Sequence, residues 1–422
     1  MSKLALLFPG QGSQYVKMGK VLYEQFDSAR QLFDEADEVL GFGLKKLCFE
    51  GDLDELTMTQ NAQPAILTVS VASYKAYLEQ IGLAPICAGG HSLGEYSALV
   101  CSGAIKFSDG LRIVRQRGIF MQEAAAQGTG AMAAIGGLEK EIIEAECLKI
   151  SAEGQIVVVS NYNSPNQTVI SGHKAAVERA GQQFASMGGM VTPLKVSAPF
   201  HSPLMQPAAD RLREELAKYS YSEFQFPVIS NVTALPYEGP HKIIENLTAQ
   251  IVAPVQWVAS MEFVKKSGVE IAVEIGPQTV LRNLMKRNAP DIKTFSYDKS
   301  EDIEALTKAV KGESNSDKAV ARPSLVTRCM AVAVCTRNRN WDNDEYQKGV
   351  VEPYKRIQLM QEEIEKSGNP PTVEQMKEAL EMLRGMFITK KTPVEEQIER
   401  FNQIFDETGT RHLFPDFKMP VE

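Results

Sequence analysis

A single serine in a glycine-rich turn is the feature of this sequence best suited to chemistry. Ser92 lies between Gly90 and Gly94 in the pattern G-x-S-x-G, after the apolar-to-small run 86–89 and before a helical stretch. This pattern is typical of a nucleophile elbow, a tight strand-to-helix turn that holds a strained serine with its hydroxyl exposed. A side chain at either glycine would collide across the turn. The stretch therefore predicts a serine that forms an acyl-enzyme, with helix N–H groups aimed at an oxyanion.

The base that such a serine requires is predicted at His201, because a free hydroxyl is almost wholly protonated at neutral pH. Pro199 and Pro203 flank this histidine and leave its loop few conformations. The alternative is a structural histidine that only forms hydrogen bonds within its own loop. The elbow upstream favours the catalytic base. We expect the side chain of His91 to point away from the face that Ser92 uses. No acidic residue has the setting of a triad acid, so a backbone or amide carbonyl is left to orient the ring.

A second oxyanion donor is expected from a different loop than the elbow. Gln11 follows a predicted strand, and the glycines on either side of it let its backbone approach a ligand. The alternative is a plain strand-to-helix turn.

Arg117 lies on a helical stretch that is otherwise apolar, so its guanidinium needs a partner. Most arginines of this kind pair with a carboxylate of the protein. If Arg117 instead faces the serine, its two parallel N–H groups would bind a free carboxylate on the substrate acyl group.

The elements around these residues alternate between strands and helices. A strand at 3–8, helices at 22–40 and 64–78 and the elbow strand predict a mostly parallel sheet with helices on both faces. Between 128 and 196 the order becomes β-α-β-β-α-β, which is the ferredoxin-like arrangement. These strands and helices are predicted at 131–135, 139–148, 155–160, 167–171, 174–186 and 191–196.

We therefore predict an α/β fold with an α/β-hydrolase-like large subdomain formed by residues 1–127 and 197–311. Residues 128–196 form the inserted small subdomain, and the polar, proline-ended stretch 312–326 is a linker. Residues 327–422 form an extra, mainly helical C-terminal unit. Its predicted elements are a strand-like apolar run at 329–335 and amphipathic helices at about 343–366, 372–386 and 393–406.

Composition narrows the function classes. The chain has 422 residues and a net charge of −8, which argues against a nucleic acid partner. The apolar run 4–8 is too short for a signal peptide or a membrane span, so we expect a cytoplasmic protein without a membrane partner. The six cysteines are scattered, and we interpret them as free core thiols in a reducing compartment. Neither they nor the five histidines have a spacing that supports a metal site.

Together, the motifs resemble the malonyl-CoA:acyl carrier protein transacylase family, which includes bacterial fatty acid synthesis enzymes and the acyltransferases of polyketide synthases. The resemblance covers residues 1 to about 300 and excludes residues 312–422, which depart from the family. Seven motifs occur in the family order: FPGQGSQ at 8–14, GHSLGEYSAL at 90–99, QRG at 116–118, NYNSPNQTVISG at 161–172, FHSPLM at 200–205, PVQW at 254–257 and EIGP at 274–277.

The resemblance implies a role for individual residues. Ser92 resembles the acylated nucleophile and His201 its base, with Gln250 as the residue whose carbonyl orients the histidine. Three further roles concern the acyl group and its oxyanion. The backbone N–H groups of Gln11 and Leu93 resemble the oxyanion hole, Arg117 resembles the clamp on the malonyl carboxylate, and Phe200 resembles the residue that favours malonyl over methylmalonyl.

The family's reaction is a ping-pong transfer of malonyl from malonyl-CoA to the phosphopantetheine thiol of an acyl carrier protein, without a metal or redox cofactor. The long tail leaves room for a discrete enzyme that serves polyketide synthase modules in trans. A carrier protein is expected to be acidic, and Arg282, Lys286 and Arg287 are candidates for a basic patch that meets it. The alternatives are a proofreading acyl-thioester hydrolase of the same fold and a non-catalytic scaffold.

Overall fold

The computed structural model describes residues 3–125, 128, 130–151, 154–194, 198–312, 324–367, 371–415 and 417–420. The chain divides into two compact units, Met1–Glu313 and Ser314–Glu422. Each unit contains its own cluster of buried apolar side chains. The predicted linker 312–326 lies largely outside the described residues, and its last two residues already belong to a helix of the second unit.

A parallel sheet of short, buried strands organises the first unit. The strand order is β7-β2-β1-β8-β9, and every neighbouring pair is parallel. All residues of β1 are buried, as expected for a parallel strand covered on both faces. This confirms the predicted α/β class. The strands are β1 Leu4–Phe8, β2 Cys87–Gly90, β7 Val228–Ile229, β8 Ile271–Glu274 and β9 Lys293–Ser296.

Helices cover this sheet, and one of them, α5, is buried along almost its whole length. The prediction of one continuous helix over 22–40 is wrong, because the structure has two helices there. Phe26 is extended and packs against the core, so one helix ends before it and the next begins at Asp27, whose carboxylate suits a first turn. The helices are α1 Lys20–Gln25, α2 Asp27–Leu40, α3 Leu44–Glu50, α4 Leu53–Thr57, α5 Thr59–Gln80, α6 Leu93–Cys101, α7 Phe107–Ala125, α10 Gln206–Leu216, α11 Ile243–Gln250, α12 Trp257–Lys266, α13 Val280–Asn288 and α14 Ser300–Gly312.

An antiparallel sheet forms the inserted small subdomain. Its strand order, β4-β5-β3-β6, and its β-α-β-β-α-β chain order are those of the ferredoxin-like arrangement. Both helices pack against the same apolar cluster. The last strand ends at Pro193, and residues 195 and 196 of the predicted strand lie outside the described residues. The elements are β3 Gly130–Gly136, α8 Lys140–Ser151, β4 Val157–Ser164, β5 Gln167–His173, α9 Lys174–Ser186 and β6 Met190–Pro193.

The second unit is helical in the part that the structure describes. The strand-like run predicted at 329–335 is wrong, because it lies inside helix α15. Ser324 caps this helix by accepting from Thr327 N, and the buried residues recur every three or four positions. The helices are α15 Leu325–Cys335, α16 Asn343–Tyr346, α17 Glu352–Ser367, α18 Val373–Thr389 and α19 Val394–Thr408, with a π-helical turn Gln347–Val351 between α16 and α17.

Two sequence-wide expectations are also tested by the structure. Five of the six cysteines are buried free thiols, but Cys335 is exposed, so the expectation of core thiols is wrong for that residue. Among the described helices, none has an apolar stretch long enough to cross a membrane.

Glycines let the first strand and the elbow lie in direct contact. A Cβ atom on Gly94 would lie 1.9 Å from the carbonyl oxygen of Phe8, the last residue of β1. A Cβ atom on Gly90 would lie 1.9 Å from the Gly94 carbonyl carbon, and one on Gly10 would lie 2.3 Å from the His91 oxygen. The carboxyl ends of β1 and β2 therefore meet at one edge of the sheet, where the residues that follow them converge.

Substitution of Gly94 by alanine is expected to destabilise the first unit. The added Cβ can be accommodated only if backbone moves, and overpacking of this kind costs about 1–3 kcal/mol of unfolding free energy. Urea unfolding measures the loss. Gly43→Ala is the control, because its Cβ would meet only Lys46 Cβ at 3.6 Å. Equal stability of the two variants would contradict the close crossing.

Candidate active site

Ser92 occupies a strained turn between β2 and α6. Its backbone angles are φ 51° and ψ −103°, which non-glycine residues rarely adopt. Asn231, which follows β7, stabilises the turn: its Oδ1 accepts from Ser92 N at 2.7 Å, and its Nδ2 donates to the Gly90 oxygen at 2.6 Å. The sequence analysis missed Asn231. Its position just after a strand at the carboxyl edge of the sheet is the signal that could have found it.

His201 lies beside the serine with both ring nitrogens engaged. Its Nε2 is 2.9 Å from Ser92 Oγ, and its Nδ1 is 2.7 Å from the backbone oxygen of Gln250. A carbonyl can only accept, so Nδ1 carries the proton and Nε2 offers its lone pair to the hydroxyl. Of the two kinds of carbonyl that the sequence left open, the structure therefore places a backbone carbonyl at the ring.

Burial determines the charge state of this histidine. His201 is 4% exposed, and burial, followed by the nearby charge of Arg117, lowers its pKa to about 3. The ring is therefore neutral at physiological pH and able to accept a proton. This is the state that a base for a serine hydroxyl must have.

Arg117 extends from α7 to the nucleophile. Its side chain is buried, and Nη2 donates to Ser92 Oγ at 3.1 Å and to Gln250 Oε1 at 3.0 Å. The guanidinium also lies over the Tyr96 ring, 5.2 Å from its centroid. Of the two alternatives in the sequence, the structure thus favours the arginine that faces the serine. A cation in this position attracts a carboxylate on a bound acyl group.

A cavity of about 710 Å³ opens onto these residues. It is lined by Gln11, Ser92, Arg117, Phe200 and His201, so residues from well-separated motifs meet at one cavity. The small subdomain and α13 complete the lining, through residues that include Met132, Asn161, Asn163, Gln167, Val169, Leu284 and Arg287.

Three further predicted residues lie close to the elbow, to His201 or to Arg117. Leu93 is the first residue of α6, so its N–H is among the first-turn donors that have no partner within the helix. Gln11 lies just beyond β1, where Gly10 permits close approach to the elbow. Gln250 lies behind the cavity, with its backbone at His201 and its side chain at Arg117.

His91 does not point away from the site, and that expectation is wrong. His91 lines the same cavity as Ser92. Nε2 is 2.9 Å from Asn163 Oδ1, and the ring lies 5.5 Å from that of Trp257. His91 thus joins the elbow to the small subdomain, a contact that a sequence pattern does not show.

Most of this chain is similar to proteins of one family. The model of the acyl transferase domain matches residues 5–315. A malonyl CoA-acyl carrier protein transacylase of Bacillus subtilis is 39% identical over 398 residues, covering 94% of this chain and 99% of that protein. The protein of the same name from Escherichia coli K12 is 47% identical over 288 residues, covering 68% of this chain and 93% of its own length.

Solved structures give the same result for the fold. The malonyl CoA-acyl carrier protein transacylase of Coxiella burnetii has a TM-score of 0.71 and 39% identity, over 73% of this chain and 98% of that one. A malonyl-transacylase solved in complex with a type II PKS acyl-carrier protein has a TM-score of 0.70 and 42% identity, over 74% and 100%. The Bacillus match of 398 residues is longer than the first unit, so it continues into the second.

The neutral state of His201 predicts the pH dependence of Ser92 acylation. An unperturbed histidine would lose its basic form below about pH 6.5. A pKa of about 3 in the free enzyme keeps His201 neutral, so the second-order acylation rate (kcat/KM, at acyl-CoA well below saturation) is expected to stay constant from about pH 8 to about pH 5. Quenched-flow intact mass spectrometry measures this rate. A tenfold fall per pH unit below about 6.5 would contradict it.

Proposed function

The chain belongs to the acyl transferase domain family, among the malonyl-CoA:acyl carrier protein transacylases, and from this premise we propose how its site acts. The enzyme transfers malonyl from malonyl-CoA to the phosphopantetheine thiol of an acyl carrier protein, through a malonyl ester on Ser92. The observation that carries the mechanism is the convergence of His201 Nε2 and Arg117 Nη2 on Ser92 Oγ.

In the first half-reaction, His201 Nε2 takes the hydroxyl proton while Ser92 Oγ attacks the thioester carbonyl. The N–H groups of Gln11 and Leu93 stabilise the oxyanion. The C–S bond then breaks, and the proton on His201 passes to the CoA sulfur. In the second half-reaction the carrier thiol gives its proton to His201 and attacks the malonyl ester, and Ser92 regains its proton. No metal or redox cofactor is needed for these steps.

Arg117 and Phe200 adapt the site to malonyl. The buried guanidinium binds the free carboxylate of the acyl group, for which a hydrolase of neutral acyl chains has no use. Phe200 lines the cavity directly before the base, where its ring would crowd an α-methyl group. The relatives are named as transacylases, and they give the hydrolase alternative no support. The assembled Ser92–His201 contact disfavours a scaffold without activity.

We further propose that the acceptors include carrier proteins of polyketide synthesis and that the enzyme acts in the cytoplasm. The complex of a related malonyl-transacylase with a type II PKS acyl-carrier protein supports the first point. Free cysteines are typical of a reducing compartment, which supports the second. Arg287 is exposed and lines the cavity, so it is positioned to contact an acidic carrier protein. Arg282, in contrast, forms an ion pair with Asp302 at 3.0 Å.

Arg117→Ala is expected to lower the rate of malonyl transfer to Ser92 by about tenfold to a hundredfold, the worth of hydrogen bonds to a charged group. The activity with acetyl-CoA relative to malonyl-CoA should rise, because an acetyl group has no carboxylate and so does not depend on Arg117. Intact mass of the Ser92 adduct measures both. Arg112→Ala, which removes an exposed arginine of the same helix, is the control. An unchanged malonyl preference would contradict the clamp.

Reversal of charge at the cavity tests how the carrier protein docks. Arg287→Glu is expected to raise the KM for an acidic carrier protein about tenfold, since a like charge would then face it. Transfer from malonyl-Ser92 to carrier proteins of fatty acid and polyketide systems measures the effect for each class. Lys308→Glu, at an exposed position outside the cavity lining, is the control. An equal KM for both variants would remove Arg287 from the docking surface.

A further inference from the structure

Arg117 is a buried cation whose charge state depends on the groups around it. Among the residues that the structure describes, no carboxylate forms an ion pair with it. Its Nε is buried and forms no hydrogen bond with any residue that the structure describes. A buried charge is costly unless neighbouring groups hold it. The groups behind Arg117 therefore decide how it is held.

The Gln250 side chain lies between Arg117 and Glu95 with its oxygen and nitrogen both engaged. Oε1 accepts from Arg117 Nη2 at 3.0 Å. Nε2 donates to Glu95 Oε2 at 2.6 Å and to the backbone oxygen of Ser92 at 3.0 Å. The opposite orientation would turn the NH₂ group toward the guanidinium and the oxygen toward the carboxyl group. Its partners thus fix the amide with the oxygen facing Arg117.

Glu95, on α6, is buried and surrounded by donors. Besides Gln250, the backbone N–H of Asn231 donates to Oε2 at 3.1 Å, and the Tyr237 hydroxyl donates to Oε1. Burial raises the pKa of Glu95 to about 7, while these donors and the charge of Arg117 oppose the rise. A carboxyl oxygen can accept the Gln250 N–H in either protonation state. Glu95 therefore anchors the amide across neutral pH.

We propose that Glu95, acting through the Gln250 side chain, is a positioning residue that holds Arg117 at the nucleophile and leaves its guanidinium unpaired for the substrate carboxylate. A direct Glu95–Arg117 ion pair would engage the N–H groups that the substrate needs. The interposed amide takes one of these N–H groups and keeps the carboxyl group away. This assignment rests on the proposed function, because it concerns recognition of the malonyl carboxylate.

Paired substitutions with two acyl-CoA substrates test the assignment. Gln250→Met removes the amide but keeps the backbone carbonyl at His201, and Glu95→Leu removes the anchor. Each is expected to lower the ratio of malonyl to acetyl kcat/KM for Ser92 acylation about tenfold. Glu95→Gln retains an acceptor oxygen and should stay within about threefold of the wild-type ratio. The double variant should lose little more than either single variant, because the two residues act in series.

Equal losses with malonyl-CoA and acetyl-CoA would overturn the assignment, since they would show a structural effect on Ser92 or His201. Additive losses in the double variant would overturn it as well. Glu215→Leu, which removes a buried carboxylate of α10, is the control for stability, measured by thermal unfolding. If Glu95→Leu does not fold, Gln250→Met and Glu95→Gln decide the question.

The wild-type protein separates this assignment from the proposed function. Absence of a malonyl adduct on wild-type Ser92 would refute malonyl transfer itself. A wild-type adduct together with an unchanged acyl ratio in Gln250→Met would refute only the positioning role.

Discussion

The contact between the elbow and the end of β1 is the constraint on which the site depends. Because Gly94 has no side chain, α6 can begin against the Phe8 carbonyl. Because Gly10 has none either, the loop after β1 can approach the His91 carbonyl. Because both crossings are backbone against backbone, no side-chain rearrangement could make room for a Cβ. The strained φ of Ser92 follows from this geometry. The Gln11 loop and the nucleophile consequently face the same cavity.

Burial of a cation beside the base links substrate recognition to catalysis. Arg117 and His201 both lie against Ser92 Oγ in a region with little solvent. Burial is the main cause of the lowered pKa of His201, and the nearby charge of Arg117 lowers the pKa further, so the histidine stays neutral beside the cation. In the proposed reaction, the cation that binds the malonyl carboxylate thus also helps to keep the base in its proton-accepting form.

The residues that the structure brings together around Ser92 belong to short motifs with local geometry. The elbow around Ser92, the constrained loop of His201 and the polar Arg117 on an apolar helix can all be read from neighbouring residues. Asn231 and Glu95 escaped because their roles depend on strands and helices that meet only in the fold. The strand predicted at 329–335 failed because β-branched and apolar residues also suit a buried helix, and the cap at Ser324 decided between them.

The second unit lies outside the part of the chain to which the proposed reaction is assigned. Every residue assigned to the reaction or to the cavity lies within the first unit. The Escherichia coli relative matches 288 residues over 93% of its length, so it has no room for a unit of this size. The Bacillus subtilis relative, by contrast, is covered over 99% of its length by a match that continues past residue 313. Relatives named as malonyl CoA-acyl carrier protein transacylases thus occur with and without a match to the second unit, which has an apolar core of its own.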